Sequence, residues 1–170
     1  MELHNEEEIQ DYNEEQSSMV SRWIIIVTGI LVLAGIGVSS YLFYEHMTGS
    51  QNLSCSGTGV VNCLKVTTSA QSYFLGIPVS LLGLGYFIAC AAFYNPLAWR
   101  SRRRWVAVGR LALAVSGMGF VLWLLTVELV IIGNICLWCT AVHVITFLLF
   151  VLTLANWSRW YSNYSQFCHP

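Results

Sequence analysis

The sequence is organised around the stretch from Ile135 to Leu154, which reads ICLWCTAVHVITFLLFVLTL. A helix that crosses the hydrocarbon core of a bilayer needs about 20 consecutive, mostly apolar residues, and this stretch has that length. Cys136 and Cys139 stand at its start. The stretch therefore predicts a membrane-spanning helix with a cysteine pair at one end.

Composition supports a membrane protein. Of the 170 residues, 56% are hydrophobic and only 10% are charged, whereas soluble domains carry about 25% charged residues. The net charge of −1 gives no reason to expect nucleic acid as a partner. The length suits a single domain, which we expect to be all-α and embedded in lipid.

Four segments qualify as membrane spans by length and composition. This predicts a four-transmembrane-helix bundle with an outer loop that bears cysteines. The four segments are Trp23 to Tyr44, Gly76 to Tyr94, Trp105 to Ile132 and Ile135 to Leu154.

Basic residues orient the bundle. Four arginines lie between the second and third spans, whereas Lys65 is the only basic residue between the first two. The positive-inside rule therefore places both termini in the cytoplasm and the loop from Glu45 to Leu75 outside, together with the turn at Gly133. The arginines are Arg100, Arg102, Arg103 and Arg104.

The two ends of the chain are expected to be cytoplasmic tails. Residues 1–21 carry an acidic run without Lys or Arg up to residue 15, which is typical of a disordered segment. That segment lacks the basic start of a signal peptide, so we expect the first span to be retained as an anchor. Residues 156–170 form a short second tail. The acidic residues are Glu2, Glu6, Glu7, Glu8, Asp11, Glu14 and Glu15.

Four of the six cysteines fall on the outer side in this topology, where disulfides persist. They are Cys55, Cys63, Cys136 and Cys139. Cys90 lies within the second span and is interpreted as a small buried hydrophobe. Cys168 lies in the cytoplasmic tail and is expected to be a reduced thiol.

The Cys136–Cys139 pair is the best candidate for chemistry. Residues i and i+3 share a helix face, and a cap at Asn134 would place Cys136 in the first turn, where the helix dipole stabilises a thiolate. A thiolate is the species that attacks a disulfide. The pair could instead be a structural disulfide or half of a metal site.

Cys55 and Cys63 stand eight residues apart in a loop with several glycines. They form either a structural disulfide or a shuttle pair that exchanges with Cys136. A zinc site built from all four cysteines is a third possibility, although this spacing is wide for one. A short surface helix is expected between Lys65 and Ser72.

Several motifs in order resemble the vitamin K epoxide reductase family, especially its bacterial members. The resemblance covers roughly Arg22 to Ala155, so that residues 22–155 form the membrane domain. It rests on the Cys55–Cys63 spacing, on Ser69, on Phe74-Leu75-Gly76-Ile77-Pro78 at the start of the second span, and on Cys136-Leu137-Trp138-Cys139.

The resemblance implies a role for each cysteine. Cys139 would face a quinone, and Cys136 would exchange with Cys63. Cys55 would meet the electron donor, usually a thioredoxin-like protein. Ser69 matches a hydroxyl residue near the family's active site, unless it serves only as a local helix cap.

Two departures from the animal members affect the quinone contacts. The stretch from Ser69 to the second span is short, and the animal enzymes' quinone-contacting Asn has no counterpart; Ser72 and Tyr73 are the candidates in its place. His143, one turn beyond Cys139, occupies the position of a Tyr in the animal enzymes. It either donates a hydrogen bond to a quinone carbonyl or is a core histidine whose hydrogen bonds are satisfied within the protein. Glu128, near the outer end of the third span, is likewise either a functional residue, as ionisable residues within spans often are, or a side chain that only reaches the membrane surface.

These features predict a membrane thiol-disulfide oxidoreductase that passes electrons from a thioredoxin-like protein to menaquinone, ubiquinone or phylloquinone. The sequence contains no thioredoxin-like domain, so the donor is expected to be a separate protein. Reduction of vitamin K epoxide is an alternative role. The nearest rival among enzymes is a quinone-linked disulfide oxidase of the DsbB type. That type has its cysteine pairs in the opposite order along the chain, which favours the first assignment. The chain could also be a non-enzymatic membrane protein braced by disulfides, or a metal-binding membrane protein.

Overall fold

Helices make up most of the chain, as expected for segments whose backbone has no water to bond with. The computed structural model describes residues 2–49, 61–100 and 104–167, and the side chains of residues 22–49, 61–99 and 104–157. The helices are α1 (Glu2–Thr48), α2 (Cys63–Thr67), α3 (Val79–Tyr94), α4 (Pro96–Arg100), α5 (Arg104–Thr126) and α6 (Leu137–Phe167), with a 3-10 turn at Ala70–Ser72 and a π-helical turn at Val127–Ile132 that extends α5.

Three helical segments are long and apolar enough to cross a membrane: Arg22–Thr48, Arg104–Ile132 and Leu137–Trp157. They coincide with the first, third and fourth predicted spans. The second predicted span corresponds to α3, which has 16 residues and therefore a length of about 24 Å. Since the hydrocarbon core is about 30 Å thick, the membrane-spanning role of α3 stays a prediction.

A short β-hairpin precedes α3 and corrects the expected start of this helix at Gly76. Strand β1 (Tyr73–Phe74) pairs antiparallel with β2 (Ile77–Pro78). Leu75 and Gly76 connect them with φ angles of 53° and 80°, which a right-handed helix excludes and a tight two-residue hairpin turn requires. The helix begins directly after Pro78, a residue that has no N–H to leave unpaired.

The four long helices pack in a ring: α1 lies against α3 and α6, and α5 lies against the same two helices. A buried cluster of Val32, Phe87, Cys90, Tyr94 and Leu149 joins α1, α3 and α6. Glycines permit this close packing, as is common in membrane bundles: a Cβ at Gly35 would overlap the ring of Phe87, and one at Gly117 would overlap the ring of Tyr86.

Helices α1 and α6 extend beyond the apolar runs, and the assignment of residues 1–21 and 156–170 as tails stays a prediction. α1 already begins at Glu2, and α6 continues to Phe167. Glutamate and glutamine have favourable helix propensity. An existing helix also gains one hydrogen bond for each residue added, without a new nucleation step. The segments that flank the apolar runs therefore continue the helices.

Candidate functional site

The turn between α5 and α6 presents Cys136. The π-helical turn ends at Gly133, whose φ of 66° is left-handed, and α6 begins at Leu137. The Cys136 carbonyl accepts the first helical hydrogen bond, from the Thr140 N–H at 2.9 Å. Cys136 therefore stands at the cap position just before the helix, and the helix begins two residues later than a cap at Asn134 would place it.

Cys136 itself acts as the helix cap. Its Sγ accepts the backbone N–H of Cys139 at 3.4 Å, the bond that a serine or aspartate oxygen makes at this position. A hydrogen bond from the Cys139 thiol lowers the pKa of Cys136, against the opposing effect of burial. Cys136 is thus the member of the pair that is set up to be a thiolate, as expected at the positive end of a helix dipole.

The outer loop docks Cys63 beside Cys136. Val61 and Ile135 form a parallel β-bridge, in which the Asn62 N–H donates to the Ile135 carbonyl at 3.1 Å. Asn62 also caps α2, because its side-chain oxygen accepts the Lys65 N–H at 3.0 Å. The backbone that carries Cys63 is therefore fixed to the residue that precedes Cys136.

The two cysteines share one buried cluster. Cys63 and Cys136 are both 0% exposed and pack with Leu42 and Val66. Cys63 is disulfide-bonded, whereas Cys136 and Cys139 are free. Cys55, the expected partner of Cys63, lies outside the described residues, as does Cys168.

Cys139 packs against this cluster and also lines a cavity of about 490 Å³ between the four long helices and the hairpin. That volume lies within the range of small-molecule sites. The walls are mainly apolar. They include Leu42, Val66, Phe74, Leu75, Ile77, Leu82, Tyr86, Phe87, Phe120, Val121, Leu124, Val127, Ile132 and Val142.

Three polar side chains of this cavity each have a buried atom without a hydrogen-bond partner among the described residues: Ser72 Oγ, Ser80 Oγ and His143 Nδ1. Buried polar atoms are nearly always paired. A cavity that combines apolar walls with a few open donors and acceptors suits an apolar ring with polar substituents. A quinone is such a molecule, so the residues present fit one.

The structure brings most of the expected site residues together. Ser69 and Ser72 line the cavity with His143, which is 5% exposed. The Ser69 hydroxyl donates to the Val66 carbonyl at 2.8 Å and makes no cap bond to the 3-10 turn. Tyr73 is not among the residues that line the cavity; its hydroxyl is hydrogen-bonded to His46 Nε2 at 2.9 Å.

Glu128 also lines the cavity and is only 4% exposed. Its carboxyl group is hydrogen-bonded to the Cys139 thiol and to the Cys136 backbone N–H. The sequence singled out this residue but did not place it beside the cysteines. The cavity walls on α3 and α5, such as Tyr86 and Phe120, were not predicted either; the only sequence signal there is a serine, Ser80, near the start of an apolar segment.

The family comparison agrees with this arrangement. The model of the vitamin K epoxide reductase family matches residues 23–154, which is most of the chain and includes both ends of the bundle. Members of this family are membrane oxidoreductases, in keeping with the apolar helices and the free cysteine pair. The chain belongs to the vitamin K epoxide reductase family.

Proposed function

We propose that this protein is a quinone-linked thiol-disulfide oxidoreductase, which passes electrons from a separate thioredoxin-like protein through two cysteine pairs to a quinone. Family membership supports the general class of membrane thiol-disulfide oxidoreductase. One observation carries the finer proposal: Cys139 contacts Cys136 on one side and borders the apolar cavity on the other.

The proposed electron path runs from the loop to the bundle. A reduced partner protein transfers two electrons to the Cys55–Cys63 pair by thiol exchange. Cys63 then exchanges with Cys136, and the packing of these two residues in one buried cluster supports that step. Thiol exchange needs direct contact between the attacking and the attacked sulfur, so a docked loop favours it.

The cavity is the proposed quinone site. Cys139 supplies the nucleophilic sulfur, while His143, Ser72 and Ser80 offer hydrogen bonds to the two carbonyl oxygens. Menaquinone, ubiquinone and phylloquinone share the ring chemistry that these groups recognise. Ser69 supports the wall of the site from the end of α2, and Tyr73 supports it from the hairpin through His46.

The electron balance of the quinone step is simple. Cys139 gives an electron pair to the ring, and Cys136 then bonds to the Cys139 sulfur, so that a disulfide forms. The two thiols lose two electrons and two protons, and the quinone gains both and becomes a quinol.

We also propose an orientation, based on the positive-inside rule. Residues 22–155 form the membrane domain, both termini face the cytoplasm, and the four cysteines of the relay face the opposite side. In that orientation the relay accepts electrons outside the cytoplasm, where exported proteins acquire their disulfides. The proposed physiological role is therefore disulfide-bond formation in exported proteins.

The test is dithiol-dependent reduction of several quinones by the purified protein. Cys139→Ala is expected to lower kcat/KM by about 10³-fold or more, because the attacking sulfur is lost. Cys55→Ala is expected to keep the reaction with a small dithiol and to lose the reaction with a thioredoxin-like protein. Full quinone reduction by the Cys139→Ala variant contradicts the proposal.

A further inference from the structure

Glu128 is placed differently from a carboxylate that merely reaches the membrane surface. It is 4% exposed, and its neighbour Val127 is buried as well, whereas the next three residues, Leu129, Val130 and Ile131, are 58%, 76% and 59% exposed. Leu129, Val130 and Ile131 therefore face outward, while Val127 and the Glu128 carboxylate face the interior of the bundle. Ionisable groups so placed in membrane helices are costly and are a sign of function.

The π-helical turn explains this orientation. Residues Val127–Ile132 form it at the end of α5, and such widened turns occur often at functional sites. The wider turn directs Glu128 toward the start of α6, where its carboxyl group meets the Cys136 backbone N–H and the Cys139 thiol. Two hydrogen bonds thus hold the carboxyl group against the cysteine pair.

The two cysteines differ in what surrounds their sulfur atoms. The Cys136 sulfur accepts the Cys139 N–H, and this donor stabilises a thiolate. The single proton of the neighbouring Cys139 thiol lies within reach of both the Cys136 sulfur and the Glu128 carboxylate. Cys139 instead faces the Glu128 carboxylate, whose negative charge disfavours a second negative charge beside it. Cys139 therefore needs an acceptor for its proton before its sulfur reacts, and Glu128 is in contact with that proton.

We propose that Glu128 is the proton carrier of the quinone step, an inference that rests on the proposed function. The Cys139 S–H bond breaks, its proton binds to a Glu128 carboxylate oxygen, and the electron pair stays on sulfur. Glu128 then gives the proton to a quinone oxygen as the Cys136–Cys139 disulfide forms, and it returns to the carboxylate. The second proton of the quinol comes from water, which has already taken up the proton that Cys136 released in forming its thiolate.

The position of Glu128 in the cavity suits both steps of the proposal, which are uptake of the proton from Cys139 and its release to the quinone. Among the residues that the structure describes, Glu128 is the one carboxylate that lines the cavity. It therefore contacts the donor of the proton, Cys139, and borders the space in which the acceptor would lie. General acid–base groups need this direct reach to both partners.

The experiment compares two reactions of the same sulfur in the full-length protein. In Glu128→Gln the side chain keeps its size and still accepts the Cys136 N–H, but it can neither take up nor release a proton. Quinone turnover is expected to fall about 100-fold. Alkylation of Cys139, followed by peptide mass spectrometry without quinone, is expected to stay within about twofold or to rise, because alkylation needs no proton carrier and the negative charge is gone.

A matched control neutralises another carboxylate. Glu45→Gln, at the end of α1, is expected to leave both rates unchanged. Formate added to Glu128→Ala gives a second measurement and is expected to restore turnover several-fold, which a purely structural role does not allow.

The outcomes separate the two proposals. Unchanged turnover in Glu128→Gln overturns the proton-carrier role, and so does a parallel loss of turnover and alkylation, which indicates structural damage. In both cases the wild-type protein still reduces quinone. If the wild-type protein reduces none of the quinones, the proposed function fails, and the carrier role fails with it.

Discussion

Two cysteines in this bundle lie near ionisable or polar side chains, yet their surroundings differ. Cys90 is 0% exposed within the cluster of Val32, Phe87, Tyr94 and Leu149, and its thiol is hydrogen-bonded to Tyr86. Cys139 is half-buried, borders a cavity of about 490 Å³ and contacts Glu128. We call Cys90 the packed cysteine and Cys139 the cavity cysteine.

The comparison shows what turns a buried thiol into a reactive one. The packed cysteine is enclosed by side chains and does not line the cavity, so no substrate reaches it. The cavity cysteine has an open space for a substrate, a second cysteine to complete a disulfide and a carboxylate for its proton. Reactivity therefore depends on the neighbours of the sulfur more than on its depth.

Three substitutions test the difference between the cavity cysteine and the packed cysteine. Filling the cavity is expected to have the largest effect of the three. Leu124→Trp adds a large ring to the wall, and the KM for quinone is expected to rise about tenfold, which corresponds to about 1.4 kcal/mol. Steady-state kinetics with a range of quinone concentrations measure it. Leu122→Trp is the matched control, since Leu122 lies on the same helix, is 55% exposed and does not line the cavity. A tenfold rise in both variants contradicts the cavity assignment.

Loosening the docked loop gives an intermediate effect. Asn62→Ala removes the cap of α2, a loss of about 1 kcal/mol, and exchange between Cys63 and Cys136 is expected to slow about fivefold. Rapid-mixing measurements of disulfide transfer from a thiol donor follow this step, and the KM for quinone is expected to stay unchanged. An equal rate of transfer in the variant and the wild-type protein shows that the loop position does not limit exchange.

Altering the packed cysteine gives the smallest effect on turnover. Cys90→Ala removes one sulfur atom from a packed cluster, so the free energy of unfolding is expected to fall by about 1 kcal/mol. Quinone turnover is expected to stay within about twofold of wild type. Unfolding in mixed detergent micelles and the dithiol–quinone assay give the two values. A large loss of turnover without loss of stability indicates that Cys90 takes part in the chemistry.

The sequence predicted the helices better than the connections between them. Three of the four expected spans recur as long apolar helices, because the apolar length that lipid requires is visible in a single chain. The predicted start of α3 at Gly76 was three residues too early, because the turn at Leu75 and Gly76 resembles part of the apolar run in sequence. The positions of Cys55 and Cys168 stay predictions, as both lie outside the described residues.

The candidate site was predicted as a set of residues rather than as an arrangement. The spacing of Cys136 and Cys139 was enough to nominate the pair, and the position of His143 one turn later was enough to nominate a contact. The cap formed by the Cys136 sulfur was not foreseen, because a cysteine is rarely considered a capping residue. Glu128 was identified but had no assigned partner.

The sequence by itself determined that this chain has long apolar helices, a cysteine pair at the start of the last helix and the pattern of the vitamin K epoxide reductase family. These properties depend on residues close together in the chain. Only the tertiary structure decided that Cys63 lies with Cys136 in one cluster and that Glu128 faces Cys139 across the turn. Helix packing and the π-helical turn set those contacts, and neither has a local signal in the sequence.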